Sequence, residues 1–197
     1  MNFKALLFAV TVAASLSSQA ATIFTLSGPA YNPGTGHSYF LLSESSWTDA
    51  ETYAQTLGGH LVTINNATED AWVYNTFSSF GGVSRTLWIG LNDVGVEGTF
   101  VWVNGEPVTY VNWHAFEPNN YGGNEDYCFI FPPADGRASL WNDNDNFGTI
   151  GGSTATIPVF GVVEVVPEPS TLALAGSGIA AWALRKTRRT RPAATPA

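Results

Sequence analysis

The side chains with chemistry to offer cluster in the second half of the chain. A polar stretch from Asn112 to Asp126 contains Glu117-Pro118-Asn119-Asn120-Tyr121-Gly122-Gly123-Asn124-Glu125-Asp126, and Trp141-Asn142-Asp143 follows it. Upstream stand Asn92-Asp93, with Glu97 four residues on. Almost all of these carry oxygen. No two histidines have metal spacing, and the single cysteine, Cys128, lies outside the set in an apolar run, as a buried thiol would. Hard oxygen ligands suit Ca2+, which takes about six to eight of them at roughly 2.3–2.6 Å in irregular geometry. Zinc favours nitrogen and sulfur, and magnesium a stricter octahedron with retained water. In extended chain, residues two apart project to one side, so Glu117 and Asn119 can face a common point. A cis peptide before Pro118 would sharpen that bend. Glu117 and Glu125 could instead form a glycosidase acid/base pair. That needs carboxyls roughly 5–9.5 Å apart with different pKa values, whereas ligands of one ion sit closer and are both ionised. The expectation is a binding protein and not an enzyme, with calcium affinity falling as pH nears the usual carboxylate range of about 4–5.

Regular elements must bring these segments together. Ser46-Trp-Thr-Asp49 reads as a capping box opening a helix to Leu57, with Trp47, Ala50, Tyr53, Ala54 and Leu57 as its apolar stripe and Gly58-Gly59 as its stop. Asn66-Ala-Thr-Glu69 opens a second helix to Phe77. Strands are expected at 23–26, 39–42, 61–64, 87–91, 99–103, 126–131, 139–142 and 159–165, with Asn104-Gly105 as a hairpin turn. Trp88, Trp102 and Trp141 sit on apolar strand patterns and read as core, while Trp113 and Tyr121, flanking the loop, could be core or a sugar-stacking surface. Strand, two helices, then a strand- and loop-rich half make an α+β domain.

The two ends read differently from the middle. Residues 1–21 carry Lys4, an apolar run and small residues up to Ala20 and Ala21, the pattern of a secretory signal peptide. Near the other end, Val166-Pro-Glu-Pro-Ser170 precedes an apolar stretch, 171–184, and five Lys and Arg residues from Arg185 to Arg191. Those fourteen apolar residues fall short of the roughly 20 that span a bilayer, and the basic tail would stay cytoplasmic. This end resembles the PEP-CTERM sorting signal of Gram-negative bacteria, which implies transient inner-membrane anchoring and removal by an exosortase. The division is therefore 1–21 signal peptide, 22–166 folded domain and 167–197 sorting signal, with signal peptidase and exosortase as export partners. Trimming both ends takes six of the eight Lys and Arg but one of the sixteen acids, leaving two basic residues against fifteen acidic ones. So acidic a domain would be repelled by nucleic acid.

Gly58-Gly59-His60-Leu61-Val62-Thr63-Ile64, Trp88-Ile89-Gly90-Leu91, Glu117-Pro118-Asn119 and Trp141-Asn142-Asp143, in that order, resemble the carbohydrate-recognition domain of C-type lectins over roughly residues 37–166. The resemblance implies a double-loop fold, two helices flanking two small antiparallel sheets, with calcium on the long loop. Carried over, the principal calcium site is Glu117, Asn119, Glu125, Asn142 and Asp143, which would also bind two neighbouring hydroxyls of a sugar. The Glu-Pro-Asn form resembles the mannose, glucose and fucose type. An auxiliary calcium site would use Asp93, Glu97, Asn120 and Asp126, sharing Glu125. Implied partners are a glycan or exopolysaccharide met outside the cell or on its surface. The family's usual cysteines are missing: Ala54, Tyr127 and Val163-Glu164 stand in their places. With no disulfide, the alternative is a protein-binding or matrix module with structural calcium only.

Overall fold

The computed structural model describes residues 22–151 and 153–167. The expected signal peptide and nearly all of the expected sorting signal lie outside the described residues.

Helix α1, Trp47–Thr56, starts where the Ser46 hydroxyl accepts from the Asp49 N–H at 3.2 Å and donates to the Asp49 carboxylate at 2.7 Å. It ends in a Schellman turn: Gly58 N–H donates to Gln55 and Gly59 N–H to Ala54, with Gly58 at φ +79°. Helix α2, Ala67–Phe77, is capped by the Asn66 side chain, which accepts from the N–H groups of Thr68 and Glu69 at 3.0 Å.

Eight strands follow the path β1-β2-β8-β4-β6-β7, with β3 beside β8 and β5 beside β4. They are β1 Thr25–Asn32, β2 His37–Glu44, β3 His60–Leu61, β4 Thr86–Asn92, β5 Val101–Trp102, β6 Tyr127–Ile130, β7 Trp141–Asn144 and β8 Val159–Val165. Every ladder is antiparallel except β4–β8, where Thr86, Leu87 and Trp88 pair with Val159, Phe160 and Gly161 in parallel. Two antiparallel groups are thereby joined into one hydrogen-bonded path. Strand β4 is buried throughout, and its alternation decides the two halves of the core. Leu87, Ile89 and Leu91 pack with Val73 and Phe77 of α2, whereas Trp88 packs with Trp47, Ala50 and Ala54 of α1. The helices therefore cover opposite faces of the sheet.

Several expectations change, beginning with the strand expected at 61–64, which is only His60–Leu61. The strand expected at 139–142 is instead β7, because Ser139 has φ +69° and cannot extend a ladder. The strand expected at 99–103 is only Val101–Trp102, and that at 23–26 is Thr25–Asn32, with two register shifts. Asn104-Gly105 does turn, with Gly105 N–H donating to Trp102, but no return strand follows. Pro107 has no N–H to give to a ladder.

Candidate functional site

The site is built where the loop after Trp113 crosses strand β7. Asp70 of α2 sets its position from below. Its buried carboxylate accepts from Tyr110 Oη at 3.1 Å, Asn112 Nδ2 at 2.8 Å and Trp141 Nε1 at 3.1 Å. One acid thus ties the entry of the loop and the first residue of β7 to the core. Trp141 N–H donates to the Asn112 carbonyl at 2.8 Å, and Asn112 Nδ2 reaches Ser139. Trp113, half-buried, packs edge-on to Trp141 and Phe100, which sets it against the core.

Strand alternation then divides the residues of β7. Asn142 and Asn144, two apart, line a cleft of about 410 Å³ together with Glu117, Asn119, Tyr121 and Glu125. Asp143, between them, sends its carboxylate to the loop instead, accepting from the N–H of Asn119 at 3.1 Å and of Asn120 at 2.8 Å. The Glu117–Pro118 peptide is cis. Asn119 Nδ2 donates to the Glu117 carboxylate, which leaves its amide oxygen free, and Asn142 Nδ2 donates to the Asp143 carbonyl. Glu125 accepts from Tyr121 N–H at 2.7 Å, with Asn144 Nδ2 at 3.5 Å on its other oxygen. Asn144 also donates to the Thr149 carbonyl at 3.2 Å, so one amide links the long loop to the 145–157 loop. Tyr121 lies against Gly151, where an added Cβ would come within 3.2 Å of its ring.

The electrostatics are those of crowded acids. Burial, then the charge of Asp143, holds the Glu117 carboxyl above the usual range. Glu125 is pushed up to about 7, first by burial, with Asp143, Glu117 and Asp145 adding and the Tyr121 N–H offsetting in part. Among the described residues the one Lys or Arg lining the cleft is Arg137, whose guanidinium is held by Asp135 and lies 3.7 Å over the Phe131 ring. Among the described residues no group of three or more Asp, Glu, His or Cys side chains forms a ready-made metal cage. The donor set is mixed, with carboxylates and amides alternating, and this is oxygen chemistry that suits calcium.

Of the remaining expected residues, Asp93 and Asp126 meet through Asp93 N–H donating to the Asp126 carbonyl at 3.1 Å. Asp93 Oδ2 accepts from Gly98 N–H at 2.7 Å, while its Oδ1 is buried with no partner. Glu97 is exposed, and its pKa is raised first by partial desolvation and then by the charges of Asp93, Asp126 and Asp143. Asn120 gives its side-chain oxygen to the Glu125 N–H at 3.1 Å. Asp70 and Asn144 were not foreseen. Asn144 had a readable signal: it lies two residues after Asn142 on a strand, hence on the same face. Its Oδ1 is also buried without a partner.

An α+β domain with two helices on opposite sheet faces and a long loop folded over a Trp-Asn-Asp strand is the C-type lectin architecture. The model of the lectin C-type domain matches residues 43–147, and that of the PEP-CTERM protein-sorting motif matches residues 165–189. The chain belongs to the C-type lectin family. It is 33% identical over 117 residues to C-type mannose receptor 2 of Rattus norvegicus, covering 59% of this chain and 8% of that protein. It is 34% identical over 113 residues to Lectin BRA-3 of Megabalanus rosa, covering 56% of this chain and 65% of that one. Among solved structures, C-type lectin CEL-I from Cucumaria echinata superposes with a TM-score of 0.55 at 28% identity, over 67% of this chain and 91% of that chain. The chain thus spans less than two thirds of either relative's length.

Proposed function

We propose that the domain, residues 22–166 of an exported chain, binds glycan through calcium. The observation that carries this reading is the convergence of Glu117, Asn119, Glu125 and Asn142 on one cleft, with Asp143 bracing the loop behind it. Their negative charges repel one another in the ion-free state, and a divalent cation would relieve that repulsion. When bound, calcium would supply a hard positive centre for two adjacent sugar hydroxyls. Around it, the carboxylates of Glu117 and Glu125 accept from those hydroxyls, and the amides of Asn119 and Asn142 donate to them. The Glu-Pro-Asn triplet at 117–119 favours a mannose, glucose or fucose type of ligand. The orphaned Asp93 Oδ1, with Asp126 and Glu97 nearby, suits a second calcium.

The sorting motif supports export with passage through the inner membrane before release or surface attachment. A second reading, a protein-binding or matrix module with structural calcium only, is favoured by one feature. Asp143 already has both oxygens engaged by loop amides, so the loop closes without a sugar. Calorimetric titration with calcium, then with mannose, fucose and galactose, separates the two. Millimolar binding of mannose or fucose that EDTA abolishes supports the glycan reading. Calcium stabilisation with no sugar heat supports the module, and glycan binding that survives EDTA overturns both.

A further inference from the structure

We infer that Phe116 is a stacking platform for a second pyranose, so that the ligand is an oligosaccharide or polysaccharide chain and not a lone sugar. This deepens the calcium-lectin reading above and rests on it. Phe116 is 93% exposed, the most exposed large apolar side chain among the described residues. It occupies the third position of a turn closed by the Glu117 N–H donating to the His114 carbonyl at 3.0 Å, and its φ is +75°. That is left-handed backbone, which suits Gly or Asn and is an outlier for a bulky residue. An aromatic there gains nothing for the fold: it buries almost none of its surface and strains the backbone. Folding alone would favour the opposite choice. Strain of this kind gathers at functional sites, where surrounding structure holds it.

The surroundings do hold it. Directly after Phe116 come Glu117, whose carboxylate lines the cleft, and Asn119, whose N–H is bound by Asp143. Neighbouring Cα atoms are about 3.8 Å apart, so the Phe116 backbone stands one residue from Glu117, a proposed ligand of the ion that lines the cleft. Aromatic faces take the apolar faces of ligands, and an aromatic side chain has only two rotatable bonds whose freedom is lost when it does so. A sugar on the ion would leave its neighbour in the chain to lie over Phe116.

The test uses the full-length chain in millimolar calcium, with methyl α-mannoside and linear α-mannotriose as probes and the variants Phe116→Asn and Phe116→Trp. The wild type is expected to bind the trisaccharide about three- to tenfold more tightly than the monosaccharide. Phe116→Asn should lose that gain, keep its monosaccharide affinity, and melt at the same temperature or a few degrees higher, because Asn tolerates the backbone. Phe116→Trp should keep the gain. An unchanged trisaccharide preference in Phe116→Asn overturns the platform. So does a Tm several degrees lower, which marks a packing role, or a dimer that falls apart with sugar affinity intact, which marks a self-association surface. If neither probe binds the wild type, the glycan reading fails and the platform with it.

Discussion

Acidification asks directly whether Glu125 is a ligand of the ion. Burial and three neighbouring acids raise its carboxyl to about 7, and a carboxyl must release its proton before it can bind a divalent cation. Apparent calcium affinity then scales with the ionised fraction. For a pKa of about 7, that fraction is about 0.9 at pH 8, 0.5 at pH 7 and 0.1 at pH 6. Affinity should therefore fall about fivefold from pH 7 to pH 6 but less than about twofold from pH 8 to pH 7. Glu117, also raised, acts in the same direction. Calcium binding at pH 7 should release about half a proton from Glu125 alone. Calorimetry in two buffers of different ionisation enthalpy measures both quantities. Equal affinities at pH 6 and pH 8, with no proton released, would refute the reasoning, since a ligand of ordinary pKa changes only below about pH 5.

The ion-free chain should show the linked effect on stability. A carboxyl whose folded pKa lies above its unfolded value binds more protons when folded, so the stability it contributes is complete below its unfolded pKa and lost as pH rises through the folded one. For Glu125 that window runs from 4.5 to about 7, and Asp93, Glu117, Glu69 and Asp70 are raised in the same direction. Asp135 and Asp145 are lowered and oppose it. The Tm in EDTA is expected to fall from pH 6 to pH 8, and calcium to flatten or reverse that slope.

Mutations at three places extend the test. Calcium at tenfold its Kd should stabilise the wild type by about 1.4 kcal/mol. Asn142→Ala should abolish that gain in thermal melts, and Asp143→Ala should abolish it and also weaken the ion-free chain, because two loop N–H groups lose their acceptor. Calcium stabilisation of wild-type size in both would mean that the site is elsewhere. Asp70→Ala strips the acceptor from Tyr110, Asn112 and Trp141 and should cost about 2–4 kcal/mol in urea melts while loosening calcium affinity. Gly59→Ala would put a Cβ 2.1 Å from the Glu164 carbonyl oxygen, so that α1 must move off β8. A loss of roughly 2 kcal/mol or more is expected from denaturant unfolding.

What could be read from the sequence was whatever had a local cause. Ser46 and Asn66 announce helix starts because a cap bonds two or three residues ahead. The run from Leu87 to Leu91 announces a central strand because both of its faces are buried. Glu117, Asn119, Asn142 and Asp143 stood out as short motifs, and the fold brings their two segments together. Asp70 was hidden because its partners lie 40, 42 and 71 residues away, and nothing local marks an acid as buried. Phe116 and Ser139 were hidden because side-chain type predicts the ordinary backbone, and both depart from it. The raised Glu125 pKa was hidden for a third reason: it depends on three acids from two other segments meeting around one carboxyl.

Much of the acid in this domain is structural, and the domain stands without a disulfide, its single cysteine free and buried. Buried carboxylates accept from segments distant in the chain. Glu51 of α1 takes His60 Nδ1 at 2.6 Å and Leu61 N–H at 2.8 Å, tying the helix to β3. Glu69 of α2 and Glu164 of β8 share the Tyr39 hydroxyl at 2.9 and 3.0 Å, and Glu164 also takes the Thr63 N–H. Asp70 and Asp143 do the same for the long loop. Hydrogen bonds to a buried carboxylate offset part of the cost of burying it, yet burial still raises the pKa of Glu69 and Asp70, so these braces fix the geometry of distant segments more than they add stability near neutral pH. The acids therefore divide into two populations, braces that tie distant segments together, and the cleft acids Glu117 and Glu125, whose donors come from their own loop and from β7. The second population lines the proposed ion site, and Asp143 stands at the boundary, filled by the loop N–H groups. An ion there would add to Asp143's existing bonds without displacing them, so the loop is expected to keep its shape in the ion-free chain.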